Sequence, residues 1–240
     1  METEQDILKR YYRVYAEIQL DCIEENILAM QKNVGTKTKI AAVLKTDGYG
    51  HGSIPIAKTI KNMVDFFAVA TIDEALNIRR HGLENPILIL GFLPEDRIPD
   101  AIRNGIRPAV FTIDMAEKIS ARSAELGMKA PIHIKVDTGM GRIGYAVTEE
   151  SVKEVCSISR LKGIEVEGIF THFASSDSAD KTMTSHQYKK FCDFVSELEE
   201  KGLHIPIKHC DNSAGIIDMP EDSMDMVRAG ISLYGLYPSA

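Results

Sequence analysis

The chain has 240 residues, 44% of them hydrophobic and 26% charged, with a formal net charge of −7. This is the balance of an ordinary soluble globular protein. The acidic excess argues against nucleic acid or an anionic membrane surface as partner, because both need a basic face. It leaves small anionic ligands open. Cys22, Cys156, Cys192 and Cys210 show neither C-x-x-C spacing nor a dense framework, so they read as reduced thiols of a cytoplasmic protein. No stretch approaches the roughly 20 apolar residues of a membrane span. Met1 to Arg13 is charged and polar and lacks the apolar core of a signal peptide.

Tyr12 to Leu20 alternates, with Val14, Ala16, Ile18 and Leu20 set against polar partners, and predicts an amino-terminal strand. Asp21 is placed to cap a helix that carries Ile23, Ile27 and Met30 on one face. Further apolar runs begin near Ile40, Phe66, Ile87, Ile106, Ile132, Ile164, Ile205 and Val227. They lie about twenty to forty residues apart, as β/α units do. Thr71 and Glu74 make a capping box for a helix ended by Gly82. Ile113 to Leu126 is stopped by Gly127, and His186 to Lys201, with Phe191, Phe194, Val195 and Leu198 on one stripe, by Gly202. Eight such units without a long linker favour an α/β fold of the closed TIM (β/α)8 type over an open sheet. The length fits, since one such barrel takes about 250 residues. Residues 1–20 form an extension with its strand, and residues 21–240 the barrel.

Inward positions of barrel strands are normally branched and apolar. The fifth strand breaks this rule. Ile132, Ile134 and Val136 share one face, so His133, Lys135 and Asp137 share the other. Ionisable groups on a buried face are costly unless they are paired or used. His209 and Asp211 continue the parity of Ile205 and Ile207, the first strand ends in Lys45, the sixth in His172, and the eighth carries Arg228. Polar groups therefore gather at the carboxyl ends of the strands, where barrel active sites lie.

Four segments carry the candidate chemistry. In Val43-Leu44-Lys45-Thr46-Asp47-Gly48-Tyr49-Gly50-His51-Gly52 a lysine ends an apolar strand and the glycines let the backbone turn tightly. The plain reading is a lysine reaching solvent. The functional one is a Schiff-base lysine, which needs a partly desolvated amine near other cations. In His133-Ile134-Lys135-Val136-Asp137-Thr138-Gly139-Met140-Gly141-Arg142-Ile143-Gly144, Lys135 either pairs with Asp137 or serves the site, and Arg142 is either a surface cation or an oxyanion clamp. His209-Cys210-Asp211-Asn212-Ser213-Ala214-Gly215 enters a short helix. With Val227-Arg228-Ala229-Gly230-Ile231-Ser232-Leu233-Tyr234-Gly235 it covers the loops after strands seven and eight, a barrel's usual phosphate site. Ser213 and the amides of Gly230 and Ile231 would form the cradle.

Together and in this order, these segments resemble the signatures of the bacterial alanine racemases, fold-type III pyridoxal-phosphate enzymes, from about Tyr12 to Ala240. The resemblance implies pyridoxal 5′-phosphate as cofactor, held as a Schiff base on Lys45, which also serves as the base on one face of the substrate Cα. It places Tyr49, Ser213, Gly230 and Ile231 at the phosphate, Arg228 opposite the pyridine nitrogen with His209 behind it, and His172 beside the ring. Arg142 matches an arginine that touches the cofactor and the substrate carboxylate. Lys135 matches a lysine often carbamylated in the family. Two unit charges at 4 Å interact by about 4 kcal/mol at an effective dielectric of 20, roughly three pKa units. Arg228 would thus keep the ring nitrogen unprotonated, which suits proton exchange at Cα and discourages transamination. Decarboxylases resembling this barrel are expected to use a carboxylate there.

The resemblance also implies a homodimer, a small amino-acid substrate and D-alanine supply to peptidoglycan. A carboxyl-terminal β-domain, lending the second base across the dimer, would follow where the chain stops at Gly235-Leu236-Tyr237-Pro238-Ser239-Ala240. The Tyr12–Leu20 strand is expected to pair with that domain. The chain is then the barrel portion of a racemase, expected to bind cofactor yet racemise alanine poorly alone. A stand-alone cofactor-binding barrel, or a racemase of serine or another small amino acid, fits the same residues. A metal hydrolase using His172, His209 and Asp211 is a weaker rival, because these lack a compact ligand motif such as H-x-H.

Overall fold

The computed structural model describes residues 14–238. Helix α1 (Leu20–Val34) is followed by β1 (Lys39–Val43), α2 (Ser53–Ile60), β2 (Phe66–Val69), α3 (Ile72–Arg80), β3 (Ile87–Ile89), α4 (Ile98–Arg103), β4 (Ile106–Val110) and α5 (Ile113–Leu126). Then come β5 (Ala130–Asp137), the two-residue β6 (Tyr145–Ala146), α6 (Glu149–Ile158), β7 (Ile164–Phe170), α7 (Thr182–Glu200), β8 (Ile207–His209), α8 (Ser213–Asp218) and β9 (Met226–Ala229). All ladders are parallel, in the order β8-β7-β5-β4-β3-β2-β1-β9, with β6 added to β5. The seam between β8 and β9 is bridged by backbone bonds from Asp225 N to Lys208 O and from Arg228 N to Asp211 O. The eight-strand parallel barrel expected from the sequence is therefore the observed fold.

At the amino end, Val14 to Gln19 pairs with no strand among the described residues, and Leu20, expected to close the strand, already starts α1; Tyr12 and Arg13 lie outside the described residues. Asp21 does not cap that helix, because Gln19 occupies the cap position and Asp21 sits in the first turn. The helix still buries Ile23, Ile27 and Met30 as expected. It also fills the place in the helical ring that would follow the last strand. Asn26 Nδ2 donates to Leu233 O, and Asn33 Nδ2 to Ile216 O.

Strand parity divides the core. Ile40, Ala42, Phe67, Ile87, Ile132, Ile134 and Val227 face the helices and belong to the main core. Their neighbours face inward in two small clusters, Ala41 with Phe66, Ile207 and Met226, and Val43 with Ala68 and Leu88. The small inward side chains of Ala41, Val43 and Ala68 leave room for buried His133, Lys135, His209 and Arg228. The carboxyl end of the barrel is thus polar inside and apolar outside.

Candidate active site

After Leu44 the chain makes a left-handed turn, with φ of 56° at Thr46, 51° at Asp47, 63° at Gly48 and 53° at Tyr49. Residues other than glycine resist this conformation by roughly 1–2 kcal/mol each, so the surroundings must hold it. Asp47 Oδ1 accepts from the backbone N and Oγ of Ser53, each at 2.8 Å. Glu74 Oε1 accepts from Thr46 N at 2.6 Å, while its other oxygen accepts from Ala70 N and Thr71 N. Tyr234 Oη donates to Val43 O at 2.7 Å. The turn brings Lys45 Nζ to 5.7 Å from the Tyr49 ring centroid. Burial lowers the Lys45 pKa, the Arg142 cation lowers it further, and Glu74 opposes both. A larger neutral fraction is what attack on a carbonyl requires.

Across the mouth, Asn212 Oδ1 caps α8 by accepting from Ala214 N and Gly215 N. Ser213 Oγ accepts from Gly230 N at 3.1 Å and Ser232 N at 3.2 Å. A Cβ on Gly230 would stand 3.2 Å from Ser213 Oγ and 3.5 Å from Tyr49 Oη. Glycine therefore keeps open a cradle lined by two hydroxyls and backbone. Burial raises the Tyr49 pKa, so its phenol stays a donor toward an anion.

Arg228, which is 3% exposed, lines the same cavity as Lys45 and the cradle. Its Nη1 is 2.8 Å from His209 Nδ1, and its Nη2 donates to Thr171 O at 2.9 Å and Cys210 O at 2.7 Å and lies 3.3 Å from His172 Nδ1. Burial lowers its pKa only to about 10, so it remains a cation at neutral pH. Burial first, and then Arg228, push His172 down to about 3, so it is neutral.

Lys135 is buried and donates to Val136 O at 2.6 Å and Ile143 O at 3.1 Å. The Asp137 partner open to it in the sequence is engaged elsewhere. That carboxylate accepts from the amides of Gly139, Met140, Gly141 and Arg142 at 2.8–3.1 Å.

A cavity of about 640 Å³ joins Lys45, Tyr49, Lys135, Arg142, His172, Ser213, Arg228, Gly230 and Ile231. Of the residues expected at the site, His209 alone stays off the cavity wall, fully buried beneath Arg228. Glu74 and Tyr234 were not expected to shape it. The sequence marks Glu74 only as a helix cap, and Tyr234 only by its place after the eighth strand. Among the described residues no group of three or more His, Cys, Asp or Glu side chains could hold a metal ion.

The fold and site define a parallel β/α barrel whose mouth sets a depressed lysine amine and a buried arginine against an anion cradle. The profile of the alanine racemase N-terminal domain matches residues 18–238, and the chain belongs to that family. It is 45% identical over 227 residues to the alanine racemases of Desulforamulus reducens and Methanococcus maripaludis, covering 94% of this chain and 61% of each of those proteins. The solved alanine racemase of Clostridium difficile 630 in complex with cycloserine superposes with a TM-score of 0.94 at 41% identity, over 95% of this chain and 63% of that one. The chain thus spans about three fifths of the length of these relatives.

Proposed function

We propose that this barrel holds pyridoxal 5′-phosphate on Lys45 and provides the lysine-bearing half of an amino-acid racemase acting on alanine. The observation that carries the reading is the placement of Arg228, a buried cation that faces the cavity shared by Lys45 and the Tyr49, Ser213 and Gly230 cradle. A cofactor with an aldehyde, a ring nitrogen and a phosphate matches these three features. When bound, it would supply an electron-withdrawing ring that acidifies the α-hydrogen of an amino acid.

The chain's own residues do the rest. The Lys45 amine takes or returns a proton at Cα on one face. Arg142, at the rim, holds the substrate carboxylate. Arg228 holds its charge against the ring nitrogen and keeps that nitrogen unprotonated, which limits the electron sink and favours proton exchange over transamination. His172, neutral and 3.3 Å from Arg228, aligns the group acting on the opposite face. Tyr49, Ser213, Gly230 and Ile231 receive the phosphate. Lys135 forms a carbamate, an anion beside Arg142. The whole protein on this reading is a cytoplasmic homodimer that supplies D-alanine for peptidoglycan. No described helix is long and apolar enough to cross a membrane.

Borohydride reduction of the protein loaded with pyridoxal phosphate, followed by peptide mapping, tests the reading. The adduct is expected on Lys45, and Lys45→Ala is expected to abolish the visible absorbance band. An adduct on another lysine, or a band that survives the substitution, would overturn it.

A further inference from the structure

A run of hydrogen-bonded side chains leaves the candidate site and threads the barrel interior. Arg228 Nη1 lies 2.8 Å from His209 Nδ1, His209 Nε2 lies 3.0 Å from His133 Nδ1, and His133 Nε2 lies 3.1 Å from Glu167 Oε2. Glu167 also accepts from Arg107, Nε at 2.9 Å and Nη2 at 3.1 Å. Both histidines are fully buried, and the Arg107 and Glu167 side chains are 18% and 19% exposed. The function proposed above uses neither His133 nor Glu167 nor Arg107.

The two ends fix the direction of every bond. A guanidinium only donates, and a carboxylate only accepts. His209 must therefore accept from Arg228 on Nδ1, carry its proton on Nε2 and donate to His133 Nδ1. His133 must likewise carry its proton on Nε2 and donate to Glu167. One neutral tautomer of each ring satisfies all contacts. An imidazolium keeps its Nε2 bond but breaks the contact on the other side, because its Nδ1 proton would face another donor. Burial pushes both histidines below the usual range, against Glu167 at His133 and with help from Arg228 at both. The remaining charged groups near them are Arg107 at His133 and Lys135 at His209.

The barrel wall is shaped around this run. The β5–β7 register slips so that Ile132 pairs with Val166 and His133 with Gly168. Glu167 is thus the extra residue of a bulge, a device that re-aims a side chain. A Cβ on Gly168 would stand 2.4 Å from His133 Cε1 and Nδ1, so glycine is what admits the ring. Phe170 stacks on His209 at 4.7 Å, and Phe66 meets His133 edge-on at 5.9 Å.

We propose that Glu167, His133 and His209 form a polarised relay that holds the Arg228 guanidinium in one orientation toward a cofactor on Lys45, which makes Glu167 and His133 positioning residues. The link to the cofactor rests on the function proposed above; the relay itself belongs to the cofactor-free chain. Without an acceptor at position 133, His209 loses its reason to keep its proton on Nε2. A proton on Nδ1 would confront Arg228 and turn it away from the ring nitrogen, which would then protonate at higher pH.

Two measurements on the full chain separate relay from cofactor site. Nitrogen-15 NMR of histidine-labelled, cofactor-free protein should show His133 and His209 neutral and protonated on Nε2 from about pH 5 to 8. An Nδ1–H tautomer or an imidazolium at either ring would overturn the relay. The second measurement follows visible absorbance against pH with pyridoxal phosphate bound. In His133→Gln, the amide oxygen can accept from His209 while the amide N–H donates to Glu167, so the profile should match the unsubstituted protein. In His133→Met, which keeps bulk and loses both bonds, the transition should rise by about one pH unit or more. A loaded His133→Met protein with an unshifted profile would overturn the positioning role. If the unsubstituted protein takes up no pyridoxal phosphate, the proposed function fails and the tautomers alone decide the relay.

Discussion

Lys135 shows how far a single buried side chain can be displaced from its ordinary chemistry. Burial, with Arg228 and Arg142 adding repulsion and Asp137 opposing, lowers its pKa to about 8. Roughly a tenth of such amines are neutral near pH 7, and the neutral amine is the form that attacks carbon dioxide. That step forms an N–C bond, releases a proton and turns a cation repelled by two arginines into an anion attracted by both. It also has a cost. Nζ now donates to Val136 O and Ile143 O, and a carbamate nitrogen keeps one N–H, so one carbonyl must find another donor. A carbon-13 NMR signal from labelled bicarbonate is therefore expected in the native protein, growing as pH rises toward about 8 and absent in Lys135→Met. Equal spectra from the two proteins would leave Lys135 a plain buried ammonium. The parity of β5 exposed this residue in the sequence. The choice between ion pair and site role was not legible, because it depends on where the loop after β5 folds back onto Asp137.

The left-handed turn after β1 is an element whose geometry is imposed by its neighbours. Thr46 carries no sequence preference for positive φ and Asp47 only a weak one, so glycines 48, 50 and 52 announced a tight turn but not its hand. What holds it is Glu74, three residues into α3, whose carboxylate caps its own helix and also takes the Thr46 amide. Glu74→Ala removes acceptors from three backbone amides. A lost cap costs about 1 kcal/mol and the lost acceptor of the Thr46 amide about 1 kcal/mol more, while relief of the strain at Thr46 and Asp47 offsets part of the sum, so a net destabilisation of about 1 kcal/mol is expected in urea melts. A weaker grip on pyridoxal phosphate should accompany it, as Lys45 and Tyr49 lose their fixed separation. An unchanged cofactor affinity in a destabilised Glu74→Ala would mean that Asp47 and Tyr234 hold the turn without Glu74. Other elements were legible to within a few residues, and their errors have local causes. Strand β8 begins at Ile207 and not at Ile205, because Pro206 has no N–H for the ladder. Helix α7 begins at Thr182, four residues before the His186 expected, where Asp180 Oδ1 accepts from the Thr182 amide. The bulge at Glu167 left no pattern of its own, since it is defined only against the partner strand.

At the scale of the whole molecule, the alternation of strand and helix made the barrel legible, and the barrel sets a pH dependence that no single residue shows. Its interior holds three histidines, His133, His172 and His209, that stay neutral when folded, His172 down to about pH 3. In the unfolded chain each binds a proton below about pH 6.5. The unfolded state then holds more protons, and stability falls as pH drops below that point. Glu167 acts in the same direction lower down. Its folded pKa is about 2 against an ordinary 4.5, chiefly through His133 and Arg107 working against burial, so its contribution is present above 4.5 and lost as pH falls toward 2. Asp211 opposes them. Burial raises it from 3.8 to about 6, so its contribution is full below 3.8 and lost as pH rises through 6. Above about pH 4.5 the balance is three histidines against one aspartate, and the glutamate adds to the fall only below that point. The urea midpoint is therefore expected to be lower at about pH 5 than at about pH 7. Asp211→Asn should steepen that fall between about pH 6 and 4, because it removes the opposing slope while the neutral amide can still accept from Ser223 Oγ, which donates to Asp211 Oδ2 at 3.0 Å in the native protein. A midpoint that rises on acidification would show that the interior histidines titrate in the folded state and that the barrel admits the protons this arrangement excludes, while a slope that Asp211→Asn leaves unchanged would show that Asp211 does not oppose them.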